Sequence, residues 1–357
     1  MRSIVASMTV FGIAACAAPA PSGEAITAEP VAKPAELADN LEAWQFDTAA
    51  PALRSASCPE GVAFERAQSL PIGIMEIDRG SDEARAEALS GFVLAGAWHL
   101  TADDPGFGGL SGIDTLRSGS LLTVSDAGAF VQIGIDPETG APDGLGSISY
   151  MRDVEGKLIS GKASGDAEGL VFKDGLALVS FERDHRIEAF DLESCGAAAR
   201  AARIADIPEQ VEGETVPNNR GAEALSFDDQ LFVGFEFRGP AGAPTTRLMA
   251  DGSLDVPLYE RPPAFHLQTG SDLQDGGRAT VFRAYDPVRG NRILVDVTAP
   301  DGRVGEAQLK APLPVDNFEG IAFGTGPEGQ TRIWLISDDN FNPGNQRTLL
   351  FALDFVE

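Results

Sequence analysis

Positive charge, histidine and cysteine are all scarce in this sequence. Its 357 residues carry 27 Lys and Arg against 54 Asp and Glu, a formal net charge of -27. Such a chain repels a phosphate backbone and offers it no basic stripe, so nucleic acid is not an expected partner. The three histidines form no H-x-H or H-E-x-x-H motif and the three cysteines form no C-x-x-C motif. Zinc sites and dithiol redox sites are therefore not expected.

Long apolar runs are also missing. Residues 4–15 are apolar and follow Arg2, but they are too short to span a bilayer and have the length of the hydrophobic part of a secretory signal peptide. The segment Ile13-Ala14-Ala15-Cys16 looks like a bacterial lipobox, in which the cysteine becomes the lipidated first residue. Ordinary cleavage near Ala18 or Ala20, with loss of Cys16, is the alternative. Either way the sequence predicts export.

The chain therefore divides into three predicted parts. These are a lipoprotein signal peptide at 1–15, a flexible tether rich in Ala, Pro and Glu at 16–48, and a folded domain at 49–357. A lipid anchor on Cys16 would hold the protein in the bacterial cell envelope, on the periplasmic side of the outer membrane. Cys58 and Cys195 remain, and they either form a disulfide or stay as two inert thiols.

The rest of the sequence indicates an all-β repeat. Forty Gly and 23 Pro spread along the chain favour short strands joined by tight turns. Three segments share a pattern, AEGLVF from Ala167, AEALSF from Ala222 and FEGIAF from Phe318, and each precedes a second apolar run that ends in an acid. Weaker copies lie at 110–136, 91–100 and 279–286. About six units of roughly 50 residues predict a six-bladed β-propeller with four-stranded antiparallel blades around a central channel.

Two helices and a ring closure complete the predicted architecture. Ser81 can cap a helix over 81–90, and a second helix is predicted over 193–202. The C-terminal strand at 349–355 is expected to share a blade with an N-terminal strand near 72–78. The domain is expected to be a monomer.

Acids recur at equivalent places in the repeat, where a propeller brings them to one mouth of its channel. The predicted sets are Asp114, Glu168, Glu223 and Glu319 on the first strands and Asp126, Glu182, Glu236 and Asp338 after the second strands. Crowded carboxylates are tolerable if some are protonated, if arginines lie between them, or if a hard cation such as Ca²⁺ takes their oxygens. Solvated turns in an acidic protein are the plain alternative.

Other motifs in the chain carry no chemistry of their own. Residues 324–329 fit G-x-G-x-x-G but precede a strand, so they predict a hairpin turn. Residues 338–342 begin like an EF-hand loop, but Pro343 replaces the required glycine. No G-x-S-x-G motif supports a serine esterase.

Several ordered motifs resemble a known family. FGGLSGID with LLTVSDAG, DAEGLVF with VSFERDHRIEAFDL, NRGAEALSF, and NFEGIAF with WLISDDNF look like the phytase-like family of exported bacterial proteins, often labelled "esterase-like activity of phytase". The resemblance covers residues 72–357. It implies a propeller-like fold, secretion and a phosphomonoesterase activity of phytase type, with calcium as the expected ion and a small phosphorylated molecule as the substrate.

The resemblance also suggests roles for particular residues. The expected ion ligands are Glu168, Glu223, Glu319, Asp338 and Asp339. Arg183 and Arg220 are expected to contact the phosphate, completing a catalytic set with the three glutamates. A non-catalytic propeller that binds a ligand or partner in the envelope, and a lactonase-like metal hydrolase, remain as alternatives.

Overall fold

Short antiparallel strands joined by tight turns dominate the structure, a computed structural model that describes residues 42–159, 161–211, 213–239, 241–263 and 265–356. Two hairpins close through Asp-Gly pairs, Asp174-Gly175 and Asp275-Gly276, in which all four residues have positive φ. This conformation gives the type I′ turn whose twist matches that of the paired strands, and Asp and Gly tolerate it. The all-β prediction is confirmed by this architecture.

The strands form five sheets of four or five strands, which we number as blades in chain order. Blade 1 contains β5 (Leu110–Thr115), β6 (Leu121–Ser125), β7 (Ala129–Ile135) and β8 (Pro142–Tyr150), with β1 (Gln68–Ser69) on its outer edge. Blade 2 contains β9 (Ala167–Lys173), β10 (Leu176–Phe181), β11 (Arg186–Asp191) and β12 (Ala202–Asp206). Blade 3 contains β15 (Ala222–Asp228), β16 (Gln230–Phe235), β17 (Ala243–Arg247) and β18 (Leu258–Glu260).

The last two blades include strands from the N-terminal part of the chain. Blade 4 contains β19 (Leu267–Gln274), β20 (Gly277–Asp286), β21 (Gly290–Thr298) and β22 (Val304–Leu309), with β3 (Leu89–Ser90) outside them. Blade 5 contains β23 (Asn317–Thr325), β24 (Thr331–Asp338), β25 (Leu349–Phe355), β4 (Phe92–Thr101) and β2 (Gly73–Glu76). A small hairpin of β13 (Gln210–Val211) and β14 (Glu214–Thr215) connects blades 2 and 3.

The inner strands of the five blades form a closed ring. Each of β5, β9, β15 and β19 contacts the next inner strand, and β23 returns to β5. The fold is therefore a five-bladed β-propeller, and the predicted number of six blades is wrong. The sixth repeat unit, at 91–100, is β4, which lies inside blade 5 and forms no blade of its own.

Ring closure joins the two ends of the propeller in blade 5. The C-terminal strand β25 pairs with β4, and β2 pairs with the far side of β4. The predicted partner near 72–78 is thus in the same blade but one strand further out. Because β1 and β3 also extend blades 1 and 4, residues 68–101 contribute strands to three consecutive blades and hold the closure together.

The folded domain begins before the predicted boundary between residues 48 and 49. Trp44 and Phe46 are buried in the core, and helix α1 (Phe46–Ser57) packs against β11 and β12. The last residues of the predicted tether are therefore part of the domain. Cys58, at the end of α1, forms a disulfide with Cys195 of blade 2, with a Cα–Cα distance of 5.7 Å. The predicted signal peptide and Cys16 lie outside the described residues.

The helices differ in part from the prediction. Helix α2 (Asp82–Ala88) forms where expected, and the Ser81 hydroxyl accepts a hydrogen bond from the Ala84 amide as its N-cap. The helix predicted at 193–202 is absent, since these residues form turns, isolated bridges and the start of β12, while α3 (Lys162–Gly165) is a single turn that sequence patterns did not predict. Within the described ranges, no helix has the length and apolar character needed to cross a membrane.

Candidate metal centre at the acidic mouth

Each inner strand has an irregularity at the same level of the channel. The pairing of inner and second strands shifts register there in all five blades. Such β-bulges turn a side chain out of the regular alternation and are frequent beside active sites. The residues at this level, one from each blade in order, are Ser111, Glu168, Glu223, Thr269 and Glu319.

A second ring of charged residues surrounds the first. It consists of the residues at one level of the second strands, which is the end of the strand in four blades and lies inside β20 in blade 4. In blade order they are Asp126, Glu182, Glu236, Arg283 and Asp338. With Asp166, which precedes β9, the two rings bring eight acids together, all of them buried. We call this end of the channel the acidic mouth; its acids are Asp126, Asp166, Glu168, Glu182, Glu223, Glu236, Glu319 and Asp338.

Asp114 is not part of this mouth, and its predicted place in the first ring is wrong. Its carboxylate accepts hydrogen bonds from the Phe172 and Thr115 amides, both near the opposite end of the inner strands. The residue that occupies the first-ring position in blade 1 is Ser111. Asp114 lies three residues further along β5, and a strand rises about 3.3 Å per residue, so it is about 10 Å deeper in the channel.

Two groups of three acids are close enough to share an ion. One carboxylate oxygen from each of Asp126, Asp166 and Glu168 lies within 4.8 Å of the others, and the same holds for Glu168, Glu182 and Glu223. Two oxygens bound to one Ca²⁺ at about 2.3–2.6 Å are at most about 5 Å apart. Glu168 belongs to both groups and therefore lies at the centre of the site.

Burial and mutual repulsion favour the protonated forms of these acids. Burial raises the pKa of the Glu168 carboxyl well above its ordinary value, and repulsion from Asp126 and Glu319 adds to the shift. Burial likewise raises the pKa of Asp126 to about 6 and that of Asp338 to about 7. Without an added positive charge, burial and mutual repulsion therefore make ionisation of these acids unfavourable.

Glu223 and Glu182 form a hydrogen-bonded pair of carboxyl groups. Burial raises the pKa of Glu223, repulsion from Glu168 and Glu236 raises it further, and a hydrogen bond with Glu182 stabilises its neutral form. The backbone amide of Gly221 donates a further hydrogen bond of 3.0 Å to the Glu223 carboxyl. The pair resembles other carboxyl dyads in which one proton serves two groups.

Four basic residues compensate part of the negative charge. The Lys162 ammonium lies 2.7 Å from Asp126 and 3.7 Å from Asp166, and Arg183 also pairs with Asp166. Arg283, the one basic member of the second ring, pairs with Glu236 and lies 3.0 Å from Glu319. Arg220 is half exposed and lies 3.8 Å from Glu236. Among the residues that the structure describes, no Lys or Arg pairs with Glu168, Glu182 or Glu223.

The predicted ligands differ in how free they are to bind an ion. Glu168 and Glu223 have no basic partner within the described part of the chain, whereas Glu319 pairs with Arg283 and accepts a 2.8 Å hydrogen bond from Asn317. Asp338 lines the same mouth and accepts a 3.1 Å hydrogen bond from the Asn317 amide group. The Asp339 carboxylate instead accepts backbone N–H groups, from Gly109 at 2.9 Å and Phe341 at 3.0 Å.

The oxygen donors at this mouth suit a hard cation. Eight of them are carboxylates, the ligand type that Ca²⁺ and Mg²⁺ prefer, and two buried oxygens, Asp166 Oδ1 and Ser111 Oγ, have no hydrogen-bond partner among the described residues. The buried acidic clusters could therefore hold a metal ion. A cation would replace the protons and relieve the repulsion around Glu168.

The chain can now be compared with known proteins. The family model described as "Phytase-like: Esterase-like activity of phytase" matches residues 105–255 and 271–341, more than half of the chain. The chain belongs to this family. The Phytase-like match includes all eight acids of the acidic mouth, Lys162 and Arg283, and it leaves out the N-terminal strands that close the ring. No curated protein matches the chain.

Solved structures share only a distant likeness with this Phytase-like protein. An α-L-arabinofuranosidase from Lactobacillus brevis is 11% identical with a TM-score of 0.42, over 70% of this chain and 92% of that one. A calcium structure of Carbohydrate-Active Enzymes Family AA12 from Trichoderma reesei is 10% identical with a TM-score of 0.37, over 83% and 100%. An endo-arabinase from Bacteroides thetaiotaomicron is 10% identical with a TM-score of 0.36, over 84% and 98%. The blade count therefore rests on the strand pairing described above.

Sequence reasoning missed Lys162 and Asp166 as members of the site. Lys162 precedes Asp166 by four residues, on the single turn of α3, and this spacing brings both side chains to Asp126. The acid next to the repeated motif, in DAEGLVF, was the available signal for Asp166. Arg283 lies in the weakly matching unit of blade 4, where a basic residue replaces the acid of the other four blades.

Proposed function

We propose that this protein is a calcium-dependent phosphomonoesterase whose active site is the acidic mouth. The observation that carries the proposal is the position of Glu168, which belongs to both three-acid groups and has no basic partner in the described structure. Membership of the Phytase-like family supports the reaction class. Since the chain is strongly acidic, a bound cation also explains how a phosphorylated substrate can approach it.

Asp126, Asp166 and Glu168 would hold the ion. When bound, calcium supplies positive charge that neutralises a phosphate group and lowers the pKa of a coordinated water. Glu223, Glu319 and Asp338 surround this position and strengthen its attraction for a cation.

The other residues of the mouth would bind the phosphate and handle protons. Arg183 and Arg220 lie at the exposed rim, where each guanidinium has N–H groups left to donate to phosphate oxygens. The Glu182–Glu223 pair carries a proton that the Glu223 carboxyl can give to the leaving oxygen. Arg283 pairs with Glu236 and Glu319 and holds both carboxyl groups in place.

Removal of calcium is expected to abolish phosphate release. The purified protein should release inorganic phosphate from p-nitrophenyl phosphate, lose at least about 100-fold of this rate on chelation, and recover it when calcium is added back. With phenyl phosphate, whose leaving oxygen is more basic and needs a proton, Glu223→Gln should also reduce kcat, because an amide cannot supply that proton.

Glu138→Gln is the matched control, since Glu138 lies on the exposed turn between β7 and β8. It should keep full activity. Turnover of lactones without phosphate release would instead favour a lactonase-like hydrolase. A folded protein that is inactive on both substrate classes would favour a binding propeller.

We further propose that the protein is exported and anchored by lipid on Cys16. The lipobox-like segment before Cys16 and the Cys58–Cys195 disulfide, a bond typical of oxidising compartments, support this proposal. Cys16→Ala is expected to move the protein from the membrane fraction to the soluble fraction, as measured by immunoblotting, whereas Pro19→Ala should leave it in the membranes. Retention of the Cys16→Ala variant in the membrane would contradict lipidation at this residue.

A further inference from the structure

An apolar pocket opens directly beside the acidic mouth. Its volume is about 390 Å³, large enough for an aromatic ring or a short alkyl chain. Its lining is Tyr150, Leu158, Ile159 and Phe341, together with Ala127 and Gly161, and it includes two charged residues of the acidic mouth region, Asp126 and Lys162. The pocket therefore combines one ion pair with an otherwise apolar lining.

The wall formed by Phe341 depends on an unfavourable backbone conformation. Asn340 and Phe341 both have φ of 50°, which Asn tolerates and which is unusual for Phe. The Asp339 carboxylate holds the loop by accepting the Phe341 amide and the Gly109 amide. Such strained residues persist only where their surroundings fix them, and they concentrate at functional sites.

Gly108 and Gly109 make room for the Phe341 ring. A Cβ atom at Gly109 would lie 2.6 Å from the ring, and one at Gly108 would lie 3.0 Å from it. Both glycines also have positive φ, at 141° and 54°. The ring thus lies close against the start of blade 1 and remains 39% exposed.

The opposite wall is also apolar and open. Leu158 is 55% exposed although it lines the pocket, while its neighbour in sequence, Ile159, is buried. The Tyr150 hydroxyl donates a 2.6 Å hydrogen bond to Asp104, which turns its polar end away from the cavity and leaves the ring as wall. Exposed apolar side chains around a concave site are typical of ligand pockets.

We infer that this pocket binds the organic group of the substrate, so that the substrate is a phosphate monoester of an aromatic or aliphatic alcohol. The inference rests on the proposed function. Asp126 and Lys162 connect the pocket to the ion site, so a phosphate bound at the acidic mouth places its ester oxygen and the attached group at the pocket entrance. An apolar wall provides no charge for further phosphate groups, which makes a polyphosphorylated alcohol a poor fit at this subsite.

Calorimetric binding of two phosphonates, with calcium present, tests this assignment. Methylphosphonate reports on the phosphate site alone, and phenylphosphonate adds the apolar group. Phenylphosphonate is expected to bind wild-type protein roughly 10-fold or more tightly than methylphosphonate, because burial of the ring removes apolar surface from water. In the double variant Leu158→Asn with Phe341→Asn, this advantage should fall below about 3-fold while the affinity for methylphosphonate stays unchanged.

The variants are chosen to preserve the fold. Leu158 is exposed, and Asn at position 341 suits the positive φ better than Phe does. Val288→Asn, at an exposed turn of blade 4, is the control for an apolar-to-polar exchange and should keep the full advantage. Equal affinities of the wild type for the two phosphonates, or an advantage that persists in the double variant, would overturn the apolar subsite and leave the phosphate site standing. Failure of both phosphonates to bind would overturn the proposed function and this inference together.

Discussion

Replacement of Glu168 by glutamine is expected to weaken calcium binding by about 100-fold or more and to reduce phosphate release accordingly. Mutation of a residue that only hydrogen-bonds to a metal ligand costs about 10–100-fold in metal affinity. Glu168 is expected to matter more, because it is a proposed ligand and belongs to both acid groups. Glutamine keeps the shape of the side chain but removes its charge. The effect should therefore appear in ion affinity without loss of the fold.

The same substitution is expected to stabilise the metal-free protein at alkaline pH. The pKa of Glu168 is raised above its unfolded value in the folded state, chiefly by burial. Its contribution to stability is therefore fully present below the unfolded pKa of about 4.5 and is lost as pH rises through the raised folded pKa. Chelated wild-type protein should melt at a lower temperature at pH 8 than at pH 5, and Glu168→Gln should reduce this difference.

Calorimetric titration with calcium, and thermal melting in chelator at the two pH values, provide the measurements. Calcium should restore the wild-type melting temperature at pH 8 because it binds the ionised folded form. Glu138→Gln, an equal change of charge on an exposed turn, should behave as wild type in both experiments. If Glu168→Gln binds calcium as tightly as wild type, the acidic mouth is not the calcium site.

The convergence of distant acids on one mouth could be predicted from the sequence because the repeat fixes it. Glu168, Glu223 and Glu319 stand at the same place in three copies of one motif, and a radial arrangement of similar sheets superposes equivalent strand ends. The same reasoning identified the acids after the second strands. Since register follows from the strand pattern, these predictions needed no knowledge of contacts between blades.

The number of blades and the alignment of blade 1 could not be obtained in this way. The segment at 91–100 has the composition of a blade strand, and only its pairing with β25 shows that it closes blade 5. In blade 1, Asp114 was aligned with the first-ring acids of the other blades because it is the nearby acid, although Ser111 holds the equivalent position. A pattern based on acids cannot recognise a repeat in which a serine or threonine has replaced the acid, as at Ser111 and Thr269.

The second prediction concerns the glycine that follows the first-ring residue. A Cβ atom at Gly112 would lie 2.4 Å from the Glu168 carbonyl oxygen and 2.5 Å from the Leu170 nitrogen, both backbone atoms of the neighbouring inner strand. Gly270 and Gly320 have the same relation to the next blade, each with a carbonyl oxygen at 2.3 Å from the added atom. At these three positions the inner strands approach so closely that a side chain larger than that of glycine would collide with the backbone of the next blade.

Gly112→Ala is therefore expected to destabilise the protein by about 3 kcal/mol, since overpacking against backbone cannot be relieved by a side-chain rotation. For a domain of this size, that loss lowers the melting temperature by about 5 °C. Calcium affinity should also fall, because the displaced atom belongs to the backbone of Glu168 and moves the central ligand.

Gly344→Ala is the matched control, because no heavy atom lies within 4 Å of the added methyl group. Thermal melting in chelator measures the packing effect, and calcium titration measures the displacement of Glu168. Blade 3 carries Ala224 at this position, so the spacing between blades 3 and 4 already accommodates a methyl group. If the melting temperature of Gly112→Ala lies within about 1 °C of that of the wild type, blades 1 and 2 can also accommodate a methyl group between them. The close approach of the inner strands would then not be what positions the acids.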